Sequence, residues 1–320
     1  MMKSNFAIAV TLILAFVLRI YGMNWDQGFH LHPDERALIM VTERIHLFKQ
    51  LNPQFFNYGS LPIYILKGLS QIIDTTVSSP ISNYSGMLYV GRFLSLFFDL
   101  GTIILIYKIT LILFSTGSNN NRNKLILLFS SFFYAIAFFP IQNSHFFISD
   151  VFLTFFTTLL LYLLIKYLSI PSRHDRIKMV VFLGLAFAAM ISTKFTAIIF
   201  YPIILLVLIY RKFVDKQLTI QQLAINFIIF NFSLLTFNFL FMPYAFLDYQ
   251  RFISDITAQI KMNSDPYIFP YTLQYVGTIP YLYYLKNIFL WGLGPFISIF
   301  SLIGLFSYLY QISKIKYQKY

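Results

Sequence analysis

The sequence predicts an all-α, polytopic membrane protein, and three observations support this fold class. Of the 320 residues, 58% are hydrophobic and 11% are charged, which leaves too few polar side chains to cover a water-soluble surface. Apolar stretches of roughly 20 residues, the length that crosses a bilayer, recur along the chain. Basic residues cluster in alternate connections between those stretches. We therefore expect a membrane domain rather than a soluble one.

Eight apolar stretches are predicted to span the membrane. They cover residues 5–22, 86–107, 125–141, 147–165, 179–193, 195–210, 222–246 and 287–311. No small-residue cleavage site of the Ala-x-Ala type follows the first stretch, so we expect a retained helix rather than a signal peptide. A ninth stretch, 61–73, is short and carries Lys67 in its middle. We expect it to form an interfacial helix.

Charge placement predicts which side of the membrane each loop faces. With both termini in the cytoplasm, the inner ends and loops collect mostly basic residues, as the positive-inside rule requires. These are Lys3, Lys108, Arg122, Lys124, Lys166, Arg173, Arg176, Lys178, Arg211, Lys212, Lys216, Lys314, Lys316 and Lys319, against Asp175 and Asp215. The net charge of +12 is therefore interpreted as a sign of topology and not of nucleic-acid binding.

Most acidic residues then fall on the extracytoplasmic side. They are Asp26, Asp34, Glu35, Glu43, Asp74, Asp150, Asp248, Asp255 and Asp265. No repeat or linker divides the sequence, so we expect residues 1–320 to form one transmembrane domain. Its first extracytoplasmic loop, 23–84, would hold juxtamembrane helices, and 248–284 would form a further outer loop. The absence of cysteine excludes disulfides and thiolate catalysis.

The segment His30-Leu31-His32-Pro33-Asp34-Glu35-Arg36, after the first span, carries the first candidate catalytic residues. Pro33 suits a first helical turn, and Asp34 and Glu35 suit its positive end. Apolar residues then recur at helical spacing on one face, namely Leu38, Val41, Ile45 and Phe48. The pattern predicts an amphipathic helix on the outer membrane surface. Whether the two carboxylates merely cap that helix or act on a substrate stays open.

A second candidate carboxylate, Asp150, lies where the third span ends and the fourth begins. A deeply apolar run follows it directly, and ionisable groups at such a boundary tend to line cavities or carry function. Helix capping by Ser149 or Asp150 is the competing interpretation.

Other polar residues lie in or near the spans. Arg92 and Lys194 are close to the outer face, where they would either hold an anionic phosphate or anchor the helices by snorkelling. Asp99, inside the second span, would pair with a cation or polar group or mark an ion path. Three asparagines of the seventh span are expected to form interhelical hydrogen bonds: Asn226, Asn231 and Asn238.

A metal site is a further hypothesis. His30, His32 and His145 lie on the predicted outer side with the carboxylates, but no spacing typical of metal ligands is present. A requirement for a divalent metal stays open.

Taken in order, the motifs resemble the GT-C glycosyltransferases, and in particular the family-39 type that includes protein O-mannosyltransferases and lipid A aminoarabinose transferases. The motifs are His32-Pro33-Asp34-Glu35, the runs 57–64, 91–95 and 149–156, Gly184-Leu185-Ala186 through Ser192-Thr193-Lys194-Phe195-Thr196, and the run 242–248. The ordered set covers most of the chain.

This resemblance implies inverting transfer of a hexosyl or pentosyl group from a polyprenyl-phosphate-sugar donor, at a site facing away from the cytoplasm. It places the catalytic base at Asp34, with Glu35 beside it, and a second catalytic carboxylate at Asp150. The acceptor would be a protein, a lipid or a cell-surface polysaccharide. Residues expected to bind the donor phosphate or sugar are Arg92, Lys194, His32, His145 and Tyr58.

Two departures from the family and two alternatives remain. Gly59 and Ser60 stand where some relatives have a basic residue, and relatives are commonly longer, so the chain is expected to be a fragment or a minimal form. A multi-span transporter is one alternative, suggested by Asp99 and Lys194, although no matching halves are found. A non-catalytic module that organises a partner enzyme is the other.

Overall fold

The computed structural model describes residues 2–78, 80–114, 120–170, 173–214 and 218–317. Asp215, Lys216 and Lys319, predicted to face the cytoplasm, lie outside these ranges. The helices are α1 (Met2–Ile20), α2 (Pro33–Arg44), α3 (Leu61–Asp74), α4 (Tyr84–Phe114), α5 (Asn120–Ile136), α6 (Phe138–Ser144), α7 (Ser149–Ser169), α8 (Arg173–Ile191), α9 (Tyr201–Val214), α10 (Ile220–Phe241), α11 (Tyr244–Leu247), α12 (Tyr249–Ser264), α13 (Leu282–Asn287) and α14 (Pro295–Tyr317). Two 3₁₀ helices, Phe195–Phe200 and Pro270–Tyr275, and one π-helical turn, Ile288–Gly292, join them.

The predicted all-α membrane architecture is confirmed, but the count of eight spans is not. Within the described residues, four helical segments are long and apolar enough to cross a bilayer, and up to six are if each of two bent pairs counts as one span. The four are Tyr84–Phe114, Ser149–Ser169, Phe195–Phe213 and Ile220–Phe241.

Proline and glycine explain the two bends. The pair Leu125–Ile136 and Phe138–Ser144 bends by 55°, because Pro140 cannot donate a hydrogen bond to residue 136 and its ring collides with that carbonyl. The pair Leu282–Gly292 and Pro295–Tyr310 bends by 118° at Gly294, whose φ of +82° ends a helix. The stretch predicted to span over 287–311 is therefore sharply bent at this point.

Three buried apolar clusters hold the bundle together, and the smallest, Ala15, Ile103 and Ala135, joins α1, α4 and α5. The other two are larger. One joins α7, α8, α9 and α10, and the other joins α2, α3, α4 and the start of α7. Helices α8 and α10 approach closely at Gly184, where a Cβ atom would lie 2.6 Å from Cβ of Ser233. Asn226, Asn231 and Asn238 form the predicted interhelical bonds, with Tyr167 (3.4 Å), Tyr201 (2.8 Å) and Ser192 (3.1 Å).

The predicted helix after the first span exists as α2, but it packs on protein. Leu38 and Val41 are buried in the cluster formed with α3 and α4. The helix ends at Arg44, and Phe48 beyond it is 97% exposed, so the expected apolar stripe stops before Phe48.

The stretch predicted as an interfacial helix forms α3, too short to span a bilayer. Its Lys67 is buried and donates to the carbonyl oxygens of Glu43 (3.4 Å) and Ser82 (3.3 Å), so the cation is used inside the protein.

Asp99 of α4 pairs with a cation, which is one of the two roles predicted for it. Arg19 of α1 donates to its carboxylate, and the Tyr134 hydroxyl donates to it at 2.7 Å. Both ion-pair partners are buried. Arg19, Asp99 and Tyr134 therefore tie α1, α4 and α5 together inside the bundle.

The loops predicted to be extracytoplasmic meet at one end of the bundle, where Asn52 Nδ2 donates to Asp248 Oδ2 at 2.9 Å. At the opposite end Arg211 Nη2 donates to the carbonyl oxygen of Ile170 at 2.7 Å. We call the first of these the site end, because the candidate residues gather there.

Candidate active site

Four candidate side chains from distant parts of the sequence converge at the site end. Asp34 lies in the first turn of α2 and Asp150 in the first turn of α7. Lys194 follows α8, and its Nζ donates to Asp150 Oδ1 at 2.8 Å. The same Nζ lies 6.0 Å from the ring centre of Tyr58, which stands in the loop before α3. We call these four residues the carboxylate cluster.

Tyr58 lies close enough to both carboxylates to feel their charges. Burial, above all, raises the pKa of its phenol well above the ordinary value, and the charge of Asp34, a hydrogen bond to Asp34 and the charge of Asp150 raise it further. The phenol therefore stays protonated and acts as a hydrogen-bond donor.

The cluster is partly exposed to solvent. The side chain of Asp150 is 42% exposed and that of Lys194 is 29% exposed, while Asp34 and Tyr58 are half-buried. A carboxylate, a cation and a neutral phenol thus share one accessible site, which suits an anionic substrate with hydroxyl groups.

Backbone pairing brings Tyr58 next to Lys194. The amide of Gly59 donates to the carbonyl oxygen of Thr193 at 2.9 Å, and the amide of Leu61 donates to that of Ser192 at 3.0 Å. These bonds join the Tyr58 loop to the end of α8. Only glycine fits at position 59, because a Cβ atom there would lie 1.8 Å from the carbonyl oxygen of Ser192.

Replacing Gly59 by alanine should therefore separate the loop from α8. We expect Gly59→Ala to cost about 3 kcal/mol, since the overlap is with backbone and not with a flexible side chain. Thermal unfolding of the purified protein measures the loss. Gly304→Ala is the matched control, because nothing lies within 4 Å of that position. Equal melting temperatures for the two variants would contradict the predicted overlap.

Arg92 and Glu35, both predicted to contact substrate, are instead completely buried and bound to each other. Arg92 Nε donates to Glu35 Oε1 at 3.0 Å, and Nη2 donates to Oε2 at 2.7 Å. Asp26 accepts two further bonds from the guanidinium, at 2.9 and 2.8 Å. Arg92 thus has no free face for a phosphate, and Glu35 has none for an acceptor. Their predicted substrate contacts are corrected on this ground.

The buried ion-pair cluster of Asp26, Glu35 and Arg92 acts as a support for the open one. Arg92 also donates to the carbonyl oxygen of Met23 at 2.7 Å, and Glu35 accepts the amide of Phe147 at 2.8 Å. The cluster therefore fixes α2, which carries Asp34, against α4 and against the segment that leads to Asp150. Sequence reasoning missed Asp26 as a member.

The histidines expected to bind substrate hold backbone instead. His32 Nδ1 accepts the amide of Glu35 at 3.4 Å, so His32, and not Asp34 or Glu35, caps α2. His145 Nε2 lies 2.8 Å from the carbonyl oxygen of Tyr21, and its Nδ1 lies 2.7 Å from that of Ile141. Both therefore serve the local fold in this conformation.

The three histidines of the metal hypothesis make separate contacts. His30 is buried and stacks on Tyr84, with 3.9 Å between the ring centres. His32 and His145 contact other segments, as described above. Among the residues that the structure describes, no group of three His, Asp or Glu side chains is placed to hold a metal ion.

The ion pair of Asp26 with Arg92 makes stability depend on pH. Burial alone would raise the pKa of Asp26, but the hydrogen bonds and charge of Arg92 outweigh it and lower the pKa from 3.8 to about 2. A lowered pKa stabilises the folded state above the unfolded value, so this contribution should be lost as pH falls from 3.8 to about 2. Melting temperatures measured across this range test it, and Asp26→Asn should flatten the profile. An identical profile for that variant would contradict the role of Asp26.

A family model described as dolichyl-phosphate-mannose-protein mannosyltransferase matches residues 64–257. A search of curated proteins finds no significant match.

Several solved structures share the fold. The chain is similar to the S. cerevisiae protein O-mannosyltransferase Pmt1–Pmt2 complex bound to the sugar donor, with a TM-score of 0.57 and 18% identity over 78% of this chain and 34% of that chain. It is also similar to the Archaeoglobus fulgidus oligosaccharyltransferase in complex with Zn and sulfate (TM-score 0.63, 16% identity, 97% of this chain and 43% of that chain). A third match is A. fulgidus oligosaccharyltransferase AglB in complex with an inhibitory peptide and a dolichol-phosphate. Its TM-score is 0.55, with 16% identity over 95% of this chain and 37% of that chain. The chain thus spans less than half the length of each.

Proposed function

Because the chain belongs to the family of dolichyl-phosphate-mannose-protein mannosyltransferases, we propose that it transfers a sugar from a polyprenyl-phosphate-linked donor to an extracytoplasmic acceptor. The family match confirms the resemblance to the GT-C glycosyltransferases, and the chain is a multi-pass membrane protein. The transferred group is a hexosyl or pentosyl unit, and the acceptor is a protein, a lipid or a polysaccharide. The termini face the cytoplasm and the site end faces away from it.

One observation carries this proposal: the carboxylate cluster is open while the ion-pair cluster beside it is closed. Of the two adjacent acidic residues of α2, only Asp34 reaches the open cluster, since Glu35 is bound to Arg92. Asp34 is therefore the carboxylate available to a substrate. We assign it as the catalytic base.

The reaction is an inverting displacement at the anomeric carbon. The acceptor oxygen attacks that carbon from the face opposite the lipid phosphate, and its proton passes to Asp34 as the new C–O bond forms. The bond between the carbon and the phosphate oxygen breaks, and its electron pair leaves with the polyprenyl phosphate. Inversion follows from this single displacement.

Lys194 is the cation that meets the leaving phosphate in this proposal. Phosphate oxygens gain negative charge as the bond breaks, and a nearby ammonium stabilises that charge. Asp150 holds Lys194 in place through the 2.8 Å contact, and Tyr58 offers its hydroxyl to Asp34 or to the bound sugar. Glu35 and Arg92 act as positioning residues behind them.

The test is a transfer assay with purified protein in lipid vesicles. A polyprenyl-phosphate sugar labelled in its sugar is offered with peptide, lipid and polysaccharide acceptors, and NMR reports the anomeric configuration of the product. We expect inversion relative to the donor. A retained configuration would contradict the mechanism, and movement of the donor across the vesicle membrane without covalent transfer would favour a transporter.

A further inference from the structure

The loop that carries Tyr58 is held from two sides, by the end of α8 on one side and by α12 on the other. Residues 51–60 form no regular secondary structure. The pairing of Gly59 with α8 holds one edge of this loop. At the other edge the amide of Phe56 donates to Asp255 Oδ2 at 2.9 Å. Asp255 and Phe56 are 199 positions apart in the sequence, so this contact belongs to the tertiary fold.

One face of α12 makes these contacts. Phe252 and Asp255 lie three positions apart, so both project from one side of the helix. Asp248, which accepts from Asn52, is the residue directly before the helix and adds a contact at its start. On the rest of the helix, Ile253 and Ile260 are 56% and 62% exposed. Helix α12 therefore touches the protein mainly through this side.

Phe252 connects the Tyr58 loop to the segment after Lys194. Its ring meets Phe56 edge-on at 5.7 Å between centres and Phe195 edge-on at 5.5 Å. Phe56 is 1% exposed, and Phe195 directly follows Lys194. A single aromatic side chain thus contacts both segments whose functional residues face each other across the open cluster.

Asp255 is itself held in orientation. Its Oδ1 accepts from Arg251 Nε at 3.0 Å, and its Oδ2 accepts from the Phe56 amide. Its side chain is 13% exposed, whereas that of Arg251 is 56% exposed. The bond to the loop is thus the more protected of the two.

We propose that Phe252 and Asp255 of α12 are positioning residues that clamp the Tyr58 loop in register with Lys194. They touch neither substrate nor reacting atoms. They act by fixing the separation of Tyr58 from Lys194, and with it the approach of Asp34 to the donor. The catalytic consequence rests on the proposed function, whereas the clamp itself is a property of the fold.

Loop opening can be measured without any sugar transfer. The chain has no cysteine, so Asn57→Cys gives a single maleimide-reactive site in the clamped loop. We expect Phe252→Ala and Asp255→Ala, each in this background, to raise the labelling rate about tenfold by loosening the loop. Ile253→Ala on the exposed face should not change it. Asp255→Asn, which keeps an acceptor for the Phe56 amide, should stay near the parent rate.

Transfer kinetics supply the second readout. In the cysteine-free chain, Phe252→Ala and Asp255→Ala should lower kcat about tenfold with little change in the KM for donor, because misplacement of catalytic groups affects the chemical step. Labelling rates equal to that of the Ile253→Ala control would overturn the clamp, as would an Asp255→Asn variant that behaves like Asp255→Ala. A wild-type chain without transfer activity would contradict the proposed function, and the labelling experiment would still decide the clamp.

Discussion

Asp34→Asn is expected to reduce sugar transfer by about 10²- to 10⁴-fold, the range lost when a general base is removed. The amide has nearly the shape of the carboxylate but cannot take the acceptor's proton. Asp34 is half-buried near Tyr58, so an uncharged amide of the same size fits in its place. We therefore expect the melting temperature to stay close to that of the wild type. Initial rates with labelled donor at saturating acceptor measure the effect.

Glu43→Gln is the matched control for this variant. Glu43 lies at the other end of α2, is exposed, and accepts the amide of Tyr84 at 3.0 Å. Its neutralisation should leave the rate within about twofold, the scale of a surface substitution. If Asp34→Asn keeps the full rate, Asp34 is not the base. If both variants lose activity equally, the loss comes from the charge of α2 and not from the site.

The sequence was sufficient to predict α2 and its neighbours but not the different roles of its two acidic residues. Pro33 and the apolar spacing predict the helix correctly. A signal for Glu35 was present, since Leu38, Ile39 and Thr42 follow it at intervals of three, four and seven, and all of these are buried. Glu35 therefore shares the buried face, whereas Asp34, one position earlier, turns towards the open cluster.

A similar signal marked Arg92. In the apolar helix α4, Arg92, Ser95, Asp99 and Thr102 recur at intervals of three and four, and all four are buried. This stripe indicates the interior of the bundle and not a snorkelling anchor. Its partner Asp26 could not be identified in this way, because Asp26 lies in a non-helical segment whose path depends on the fold.

The pairing of Asp150 with Lys194 follows from topology. Helices α7 and α8 are consecutive and similar in length, so the start of the first and the end of the second lie at the same end of the bundle. No comparable rule predicts the contacts between segments that are remote in the sequence. The bond from Asn52 to Asp248 crosses 196 positions, and it depends on the path of the chain just before α12.

Replacement of Arg92 is expected to destabilise the protein most strongly. Arg92→Leu leaves Asp26 and Glu35 without their cation, although both side chains are fully buried. Breaking a buried ion pair by removing one partner costs about 3–5 kcal/mol, since the remaining charge stays desolvated. Here two carboxylates would be left facing each other. A drop in melting temperature and a loss of folded protein from membranes measure the effect, and Arg36→Leu, at an exposed position of α2, is the control.

A compensated variant separates lost charge from lost packing. When Asp26→Asn and Glu35→Gln are added to Arg92→Leu, no unpaired charge remains in the cluster. The side-chain oxygen of the glutamine can still accept the hydrogen bond from the backbone N–H of Phe147. We expect this triple variant to recover a large part of the melting temperature lost by Arg92→Leu. No recovery would mean that the guanidinium acts by filling space and by its bond to the carbonyl oxygen of Met23. Recovery of stability without recovery of sugar transfer would show that the ion-pair cluster also positions Asp34, because the neutral cluster holds the start of α2 less rigidly.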